Sequence, residues 1–471
     1  MNLTKTINTD VLIIGGGLAG CAAALASARK GVKTTLIEAS GVLGGQAGFG
    51  LVTPIGSIQT NNTNISFGGI VEELCDEITV TAEKYCVNNP NEGEHWPLAS
   101  SHIIKYVLLK KLIETNVDIR FHTSLFEAVT ENDKITHTTV FDKSGLYNIY
   151  AKVFIDASGD ADLTVMSGAE YVCGSEDGVF SSVIENNENN SRFPSAQNAK
   201  YDQSGLMQPV SLFFIMGGVD YERASALNNK KLHFGDLGIT KEKFMSWKFA
   251  GSCGFEITDD KIPTPQGRVL VTRGPKNDMA VVNMSRIIGI DGSDAESLNE
   301  GEIKAQLQLI PIIDFLQTFI PGFENSYYIQ SATSLGIRET RRLKGKYILS
   351  GNEVINCARH TDAIARGSYI IDIHDPNGKN SAIGGEIKGD FYDIPYGCLI
   401  SGKVKNLLVC GRCISADHVA HSSSRIQGTC IMTGQAAGTA SAMSISEDIL
   451  PFDLNGEKLR EKLISDGVYL D

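Results

Sequence analysis

The sequence predicts an α/β protein, because short apolar strands alternate with helices and glycine-rich turns. One observation is the strand, glycine turn, helix and second strand within residues 11–38. A second is that apolar strands leading into glycine recur at 154–159 and 407–411, far along the chain. The recurrence indicates that one domain is assembled from segments that are distant in sequence.

The first strand, Val11–Ile14, is apolar on both faces, as expected for a central strand of a parallel sheet. Gly15 permits a tight turn, Gly17 lets the backbone approach a pyrophosphate, and Gly20 lets the next helix pack closely on the strand. The helix that follows, Ala19–Arg29, offers its N-terminal amides to an anion. The predicted contacts in this turn are Gly15, Gly17, Leu18, Ala19 and Gly20.

The second strand, Thr34–Ile37, ends at Glu38, which is placed to accept hydrogen bonds from a ribose diol. A glycine-rich turn in an ordinary strand–helix–strand unit is the alternative. The complete order of strand, turn, helix, strand and acid favours a dinucleotide site.

A second glycine pair, Gly44-Gly45, lies just beyond the ribose site. Nicotinamide dehydrogenases do not need this pair, whereas a flavin enzyme needs a second loop without side chains against the pyrophosphate and the flavin edge. The predicted cofactor is therefore FAD, with contacts at Ala39, Gly44, Gly45 and Gln46. The segment Gln46–Phe49 offers no histidine, cysteine or tyrosine for covalent attachment, so we expect noncovalent FAD.

Later motifs resemble, in order, those of the bacterial FAD-dependent oxidoreductase family. This family belongs to the glutathione-reductase-like superfamily and is distantly similar to fumarate reductase flavoproteins. The resemblance spans roughly residues 10–440 and rests on Phe154–Leu163, Gly336–Arg342, Ser368–Pro376, Asp393–Tyr396, Asn406–Ala416 and Gly428–Gly438. It implies a discontinuous Rossmann-like FAD-binding domain with an α+β substrate domain. It also implies FAD contacts at Ala157, Ser158, Gly159, Asp160, Gly411, Arg412, Gly428 and Thr429.

The expected domains are an FAD-binding domain at 1–170 plus 331–445, a substrate domain at 171–330, and a helical tail at 446–471. Within the substrate domain, Ser181–Gly205 is a polar loop, either a surface insertion or a substrate lid. Asn299–Thr318 reads as a helix that Pro311 should kink or split. No second strand–glycine–helix unit for NAD(P)H is found, so we expect an external electron donor or acceptor.

Composition excludes several partners. Of the 471 residues, 42% are hydrophobic and 21% charged, as in globular proteins with a large core. The net charge of −13 argues against binding nucleic acid or anionic membranes by bulk electrostatics. The nine histidines show no metal-ligand spacing, so no metal is expected. Residues 11–28 could be misread as a signal peptide, and no segment reaches a membrane span, so a cytoplasmic location is expected.

Cys410 and Cys413 form a CxxC pair, which invites a redox or metal interpretation. They lie where an apolar strand enters the glycine turn that the family places near the flavin, so we favour a structural role. The paired cysteines of the disulfide reductases are missing from residues 41–56.

The candidate catalytic residues lie mainly in a polar connector, Asp417–Arg425, which the family places near the reactive end of the flavin. His418 and His421 are acid–base candidates, and Arg425 is a candidate for orienting the substrate. The alternative is that these side chains are merely solvated.

Two further candidates lie elsewhere. Arg338, with Arg341 or Arg342, falls near one helical face and suits either an ion pair with Glu339 or an anion clamp. His374, bracketed by Asp372 and Asp375, could be a base that a carboxylate orients.

These features favour an FAD-dependent oxidoreductase that transfers a hydride between a small polar molecule and the flavin. The alternatives are an oxygen-using oxidase or monooxygenase, and a flavoprotein whose FAD is structural.

Overall fold

The computed structural model describes residues 5–86, 100–176, 205–225, 252–256, 268–377 and 383–471. The predicted lid, apart from Gly205, lies outside these ranges. The helices within them are α1 (Leu18–Arg29), α2 (Gly69–Tyr85), α3 (Ser101–Glu114), α4 (Asp162–Met166), α5 (Tyr221–Ser225), α6 (Ala295–Phe319), α7 (Gly351–Ile355), α8 (His418–Ser424), α9 (Gln427–Ser446) and α10 (Gly456–Ser465).

The strands are β1 (Thr6–Asn8), β2 (Val11–Ile14), β3 (Thr34–Ile37), β4 (Asp118–Arg120), β5 (Ser124–Glu131), β6 (Lys134–Asp142), β7 (Gly145–Tyr150), β8 (Val153–Asp156), β9 (Tyr171–Cys173), β10 (Phe214–Gly217), β11 (Ser252–Glu256), β12 (Arg268–Arg273), β13 (Ala280–Asn283), β14 (Tyr327–Ser331), β15 (Arg341–Leu343), β16 (Ala363–Gly367), β17 (Ile371–Ile373), β18 (Ile383–Gly385), β19 (Tyr392–Pro395) and β20 (Leu407–Val409).

A five-stranded parallel sheet forms the centre of the first domain, in the order β20-β8-β2-β3-β4. Its middle strand, β2, is buried along its whole length. The predicted α/β class and discontinuous nucleotide-binding sheet are confirmed, because strands from residues 11, 153 and 407 pair side by side. A four-stranded sheet, β1-β7-β6-β5, packs beside it.

Helices α1 and α9 pack at backbone contact. A Cβ added to Gly434 would lie 2.1 Å from the carbonyl oxygen of Ala19, and one on Gly438 would lie 2.2 Å from that of Ala23. These two glycines therefore permit the close approach of the helices, and a side chain at either position would push them apart.

A five-stranded antiparallel sheet, β11-β12-β13-β10-β14, forms a second layer with α6. Buried residues of α6, including Leu309 and Leu316, share a core with Phe214 and Val282 of the sheet. Leu51, which follows the second glycine pair, also lies in this core. The predicted flavin loop, residues 44–51, therefore lies against the second layer.

Two predictions of element boundaries differ from the structure. Pro311 lies inside α6 without splitting it, so the predicted split is wrong and a kink at this residue stays a prediction. The carbonyl that loses its hydrogen bond belongs to Leu307, whose side chain is 73% exposed, so water can solvate that group. The sequence also predicts a single strand over Tyr147–Ile155. The structure has two strands there, β7 and β8, which belong to different sheets.

Three further differences are smaller. The amphipathic pattern of Ser101–Asn116 predicts Ile113 on the apolar stripe of α3, but this residue is exposed. The run Val210–Met216 predicts a strand, which in the structure begins at Phe214. The connector Asp417–Arg425 is mostly helix α8, because the carboxylate of Asp417 accepts the backbone N–H of Ala420 at 2.7 Å and caps the helix. Among the described residues, no helix is long and apolar enough to cross a membrane.

Candidate functional site

The three glycines of the first turn serve different purposes. Gly15 has a φ of +105°, and a Cβ there would lie 2.5 Å from the carbonyl oxygen of Ala157. A Cβ on Gly20 would lie 1.9 Å from the carbonyl oxygen of Gly15. At Gly17, by contrast, an added Cβ meets no atom of the described residues within 4 Å. Protein packing therefore requires glycine at positions 15 and 20, while the space at Gly17 is open for a ligand.

Gly17 is the N-cap residue of α1, and no side chain caps this helix end. Leu18 and Ala19 form its buried first turn. The helix therefore presents backbone amides and the positive end of its dipole at the open side of Gly17. This arrangement suits a pyrophosphate.

Glu38 is held in a defined orientation at the end of β3. Its two carboxylate oxygens accept the N–H of Gly16 at 2.8 Å and the N–H of Ser40 at 2.7 Å. The second lone pair of each oxygen can accept a further bond from a ribose hydroxyl. Ala39, the residue after it, is exposed.

The second glycine pair lies directly on the first turn. The N–H of Gly44 donates to the carbonyl of Gly16 at 2.8 Å. A Cβ on Gly45 would lie 3.2 Å from the Cα of Gly17. Both residues have positive φ, +96° and +52°, which explains why glycine is needed.

Gln46 points from this loop toward the second layer. Its Nε2 donates to the carbonyl of Leu335 at 3.2 Å. Its buried Oε1 has no hydrogen-bond donor among the described residues. A buried acceptor without a donor is costly, so this atom fits a hydrogen-bond donor of a bound flavin.

The turn after β8 is fixed by Asp156, whose carboxylate accepts four hydrogen bonds from Ser158 and Thr164. Beyond it, Asp160 forms an ion pair with Arg412 at 2.6 Å. The guanidinium of Arg412 covers Gly159, where a Cβ would lie 3.0 Å from its Nη2. These contacts join the turns after β8 and β20.

The remaining predicted FAD contacts make bonds within the protein. The N–H of Gly411 donates to Thr433 at 3.0 Å. At the start of α9, the N–H of Gly428 donates to the carbonyl of Gly56, and the Thr429 hydroxyl bonds to that of Ser57 at 2.9 Å. The turn at 56–57 thus covers this helix end, and direct FAD contacts at positions 428 and 429 stay a prediction.

Two predicted catalytic residues, His418 and His421, meet at Glu339. The Nδ1–H of His418 donates to Glu339 at 2.8 Å, and Arg342 Nη1 donates to the same oxygen at 2.5 Å. Burial raises the pKa of Glu339, but His418 and Arg342 outweigh it and hold that pKa below its ordinary value. Glu339 is therefore a carboxylate, and His418 carries its proton on Nδ1.

His421 lies one helical turn from His418, with its Nδ1 3.9 Å from the Glu339 carboxylate. Burial lowers its pKa well below the ordinary value of 6.5, and the nearby Arg342 and Arg425 add to this despite the attraction of Glu339. His421 is therefore neutral near pH 7. Neither ring nitrogen has a hydrogen-bond partner within the described residues.

The other three candidates lie around Asp372 and Gln208. His374 Nε2 is 3.4 Å from the Asp372 carboxylate, and its backbone N–H donates to Gln208 at 3.0 Å. Arg425 Nη2 donates to the carbonyl of Asp372 at 3.1 Å. Gln208 also contacts Glu339 and Arg425, both at 3.4 Å, so one polar network joins both groups.

The helical face predicted for Arg338–Arg342 is wrong. Gly336 bridges to Ser211, and residues 341–343 form β15 paired with β9, so the arginines diverge. Arg338 donates to the carbonyl of Pro209 at 2.6 Å, Arg341 bonds to Asp162, and Arg342 bonds to Glu339 and Glu176. Arg342 therefore forms the predicted ion pair with Glu339, whereas an anion clamp at Arg338 stays a prediction.

Sequence reasoning missed Gln208 and Arg286, which lie in the region that least resembles the family. Arg286 donates to His374 Nδ1 at 2.5 Å. Burial lowers the pKa of His374 well below its ordinary value, and Arg338 and Arg286 add to this, while Asp372 opposes it. The sequence does contain one indication of Arg286: a charged residue between the largely apolar runs 280–284 and 287–290 is expected to be buried with a polar partner.

Cys410 and Cys413 are free, fully buried thiols. Burial raises the pKa of both well above the ordinary value. The thiolate needed for redox exchange is thus disfavoured, in agreement with a structural role.

Comparisons with known proteins find similar sequences and structures. The chain is 33% identical over 96 residues to hydroxyneurosporene desaturase of Rhodobacter capsulatus, covering 20% of this chain and only 19% of that protein. A flavin-dependent brominase structure matches with 12% identity and a TM-score of 0.48, covering 96% of this chain and 83% of the brominase. A geranylgeranyl bacteriochlorophyll reductase-like structure from Thermoplasma acidophilum matches with 14% identity and a TM-score of 0.43, covering 98% and 84%.

A family model matches almost the whole chain, over residues 10–463, and it is described as FAD dependent oxidoreductase. The open space at Gly17, the fixed carboxylate of Glu38 and the donor-free Gln46 Oε1 fit the cofactor of that family. The chain therefore belongs to the FAD dependent oxidoreductase family and is an enzyme that uses FAD.

Proposed function

We propose that this enzyme transfers a hydride between a small polar organic substrate and noncovalently bound FAD. The observation that carries the proposal is the buried pair of His418 and Glu339, 2.8 Å apart, beside the neutral His421. A carboxylate that fixes one imidazole tautomer is a common device for acid–base catalysis.

The cofactor would be held by the residues around the two glycine turns. Gly17 and the first turn of α1 would bind the pyrophosphate, Glu38 the ribose diol, and Gln46 the flavin ring. Bound FAD would supply a two-electron acceptor or donor for the substrate carbon.

The histidines would move the accompanying proton. In the oxidative direction, a substrate C–H leaves as hydride and an adjacent O–H or N–H loses its proton to a histidine, so the substrate loses two electrons and two protons. His421 is suited to accept that proton because it is neutral. The Nδ1–H bond to Glu339 fixes the His418 ring, which leaves its Nε2 as the atom that can accept a proton.

Two contacts bring the segment that precedes Glu339 to the flavin loop. Gln46 bonds to Leu335, and the segment from Leu335 leads directly to Glu339. A second contact supports this closeness, since the N–H of Thr333 donates to the carbonyl of Phe49 at 3.1 Å.

The test is anaerobic flavin reduction by a panel of small alcohols, amines and hydroxy acids. A donor should bleach the flavin, and deuterium on its reacting carbon should slow bleaching. His418→Gln and His421→Gln should slow it about 10²- to 10⁴-fold while keeping FAD. The control is His102→Gln, on the exposed surface of α3.

No isotope effect with any donor would contradict hydride transfer. Rapid reoxidation by oxygen with a hydroxylated product would support the oxygen-using alternative instead.

A further inference from the structure

Three guanidinium groups from separate parts of the chain converge beside Asp372. Arg286 follows β13, Arg338 precedes β15, and Arg425 ends α8. The nearest nitrogen of Arg425 lies 3.8 Å from the Asp372 carboxylate, and Arg286 bonds to the His374 ring that also faces Asp372. The result is a concentration of positive charge in the polar network described above.

Arg338 is the most unusual of the three. It is only 9% exposed, and among the described residues it forms no ion pair. Its hydrogen bonds there go to neutral acceptors, the carbonyl of Pro209 and the hydroxyl of Ser211. The buried Arg342 and the half-buried Arg412 differ, since each lies within 2.6 Å of a carboxylate.

Burial lowers the pKa of Arg338 well below the ordinary arginine value, and the neighbouring Arg286 and Arg425 lower it further, against Asp372. A guanidinium nevertheless stays protonated in proteins. A buried cation that forms no ion pair, and that faces two further guanidiniums and one carboxylate, is destabilising, because its desolvation is offset only in part. An anion bound there would remove that cost.

Arg425 also has unused donor capacity. Its Nε is buried and has no hydrogen-bond partner within the described residues. Its Nη2 contacts Gln208, which also contacts Glu339, so this arginine lies between the positive cluster and the acid–base histidines.

We propose that the substrate carries a carboxylate, which Arg338 and Arg425 bind. This rests on the proposed function and narrows its substrate class to small organic acids. The planar guanidinium matches the two oxygens of a carboxylate, and Arg286 would act by positioning His374. Arg338 also bonds to Ser211, which forms a backbone bridge with Gly336. Gly336 follows Leu335, whose carbonyl accepts a hydrogen bond from Gln46, so the carboxylate would lie near the flavin loop.

The first test uses the FAD-loaded wild-type protein with malonate and succinate as probes. Their neutral diamides are the matched controls. The diacids should perturb the flavin spectrum and raise the unfolding temperature, since a ligand that binds only the folded state stabilises it. The diamides should do neither. Equal effects of acids and diamides, or no effect of either, would overturn the proposal.

The second test uses Arg338→Gln and Arg425→Gln. Each should weaken diacid binding about 10- to 100-fold, the usual cost of losing a charged hydrogen bond. Arg338→Lys should recover only part, because it keeps the charge and loses the planar fork. The control is Arg223→Gln, whose exposed pair with Glu324 at 2.8 Å lies outside the network. Unchanged binding in both glutamine variants would overturn the proposal; if they fail to retain FAD, the wild-type titration decides.

The two proposals fail in distinguishable ways. A donor without any anionic group that reduces the flavin efficiently would refute the carboxylate and leave hydride transfer standing. Diacids that bind through Arg338 without any donor showing an isotope effect would support the anion site and refute hydride transfer.

Discussion

Substituting Gly17 by alanine should weaken FAD binding without unfolding the protein. An added Cβ meets no protein atom within 4 Å, and the φ of −65° suits any residue. The cofactor-free protein should therefore lose less than about 1 kcal/mol, the usual range at a helix N-cap. The same methyl group occupies the space that the pyrophosphate needs, so FAD should bind at least about 10-fold more weakly, or ~1.4 kcal/mol. Gly17→Val should abolish binding.

Gly20→Ala gives the opposite result. Its Cβ would lie 1.9 Å from the carbonyl oxygen of Gly15, whereas ordinary contacts lie at 3.4–4 Å. Relieving that overlap should destabilise even the cofactor-free protein, by about 1–3 kcal/mol.

The assay is titration of cofactor-free protein with FAD, followed by flavin fluorescence, together with urea unfolding of the same sample. Gly402→Ala is the matched control, because a Cβ there also meets no atom within 4 Å and the residue is exposed. If Gly17→Ala binds FAD as tightly as wild type, the first turn does not hold the pyrophosphate and our reasoning is refuted.

Four other results are expected. Because the pKa of His421 is lowered, the rate of flavin reduction should persist below pH 6.5, and a fall centred at or above 6.5 would exclude this histidine as the base. The lowered pKa of His421 also makes the free energy of unfolding depend on pH. As the pH falls, the unfolded histidine, with a pKa near 6.5, takes up a proton before the folded one does, so the stabilisation is complete above pH 6.5 and is lost below it. His421→Gln should therefore flatten the pH dependence of stability in urea unfolding. Cys410 and Cys413 should resist a thiol reagent in the folded protein, and mass spectrometry showing rapid labelling of either would contradict their burial. NADPH should reduce the flavin slowly, since the sequence has no second nucleotide unit, and rapid anaerobic bleaching by micromolar NADPH would contradict this.

The nucleotide-binding sheet could be predicted from sequence because its signals are local. Glycine at 15, 17 and 20 and the acid at 38 act within one strand–helix–strand unit. The site could be predicted only in part. His418 and His421 stand close in sequence, but Glu339 reaches them from 79 residues away in the chain, and its role depends on tertiary contact.

Helix α6 illustrates a different limit. Pro311 was expected to kink or split it, because local propensity disfavours proline inside a helix, yet the helix is not split. Tertiary packing outweighs that preference here: Leu309, Ile312 and Leu316 bury one face against the second sheet, and the lost backbone bond falls on the water-facing side.

The contact between α1 and α9 has a consequence for synthesis on the ribosome. The first glycine turn is made within the first 20 residues, but β20 and α9, which complete its sheet and cover its helix, are made after residue 406. The emerging chain must therefore hold an unfinished sheet while the second layer is translated between its parts. Chains released before α9 should be substrates for chaperones and proteases, and the flavin should be acquired only after β20 and α9 have left the exit tunnel.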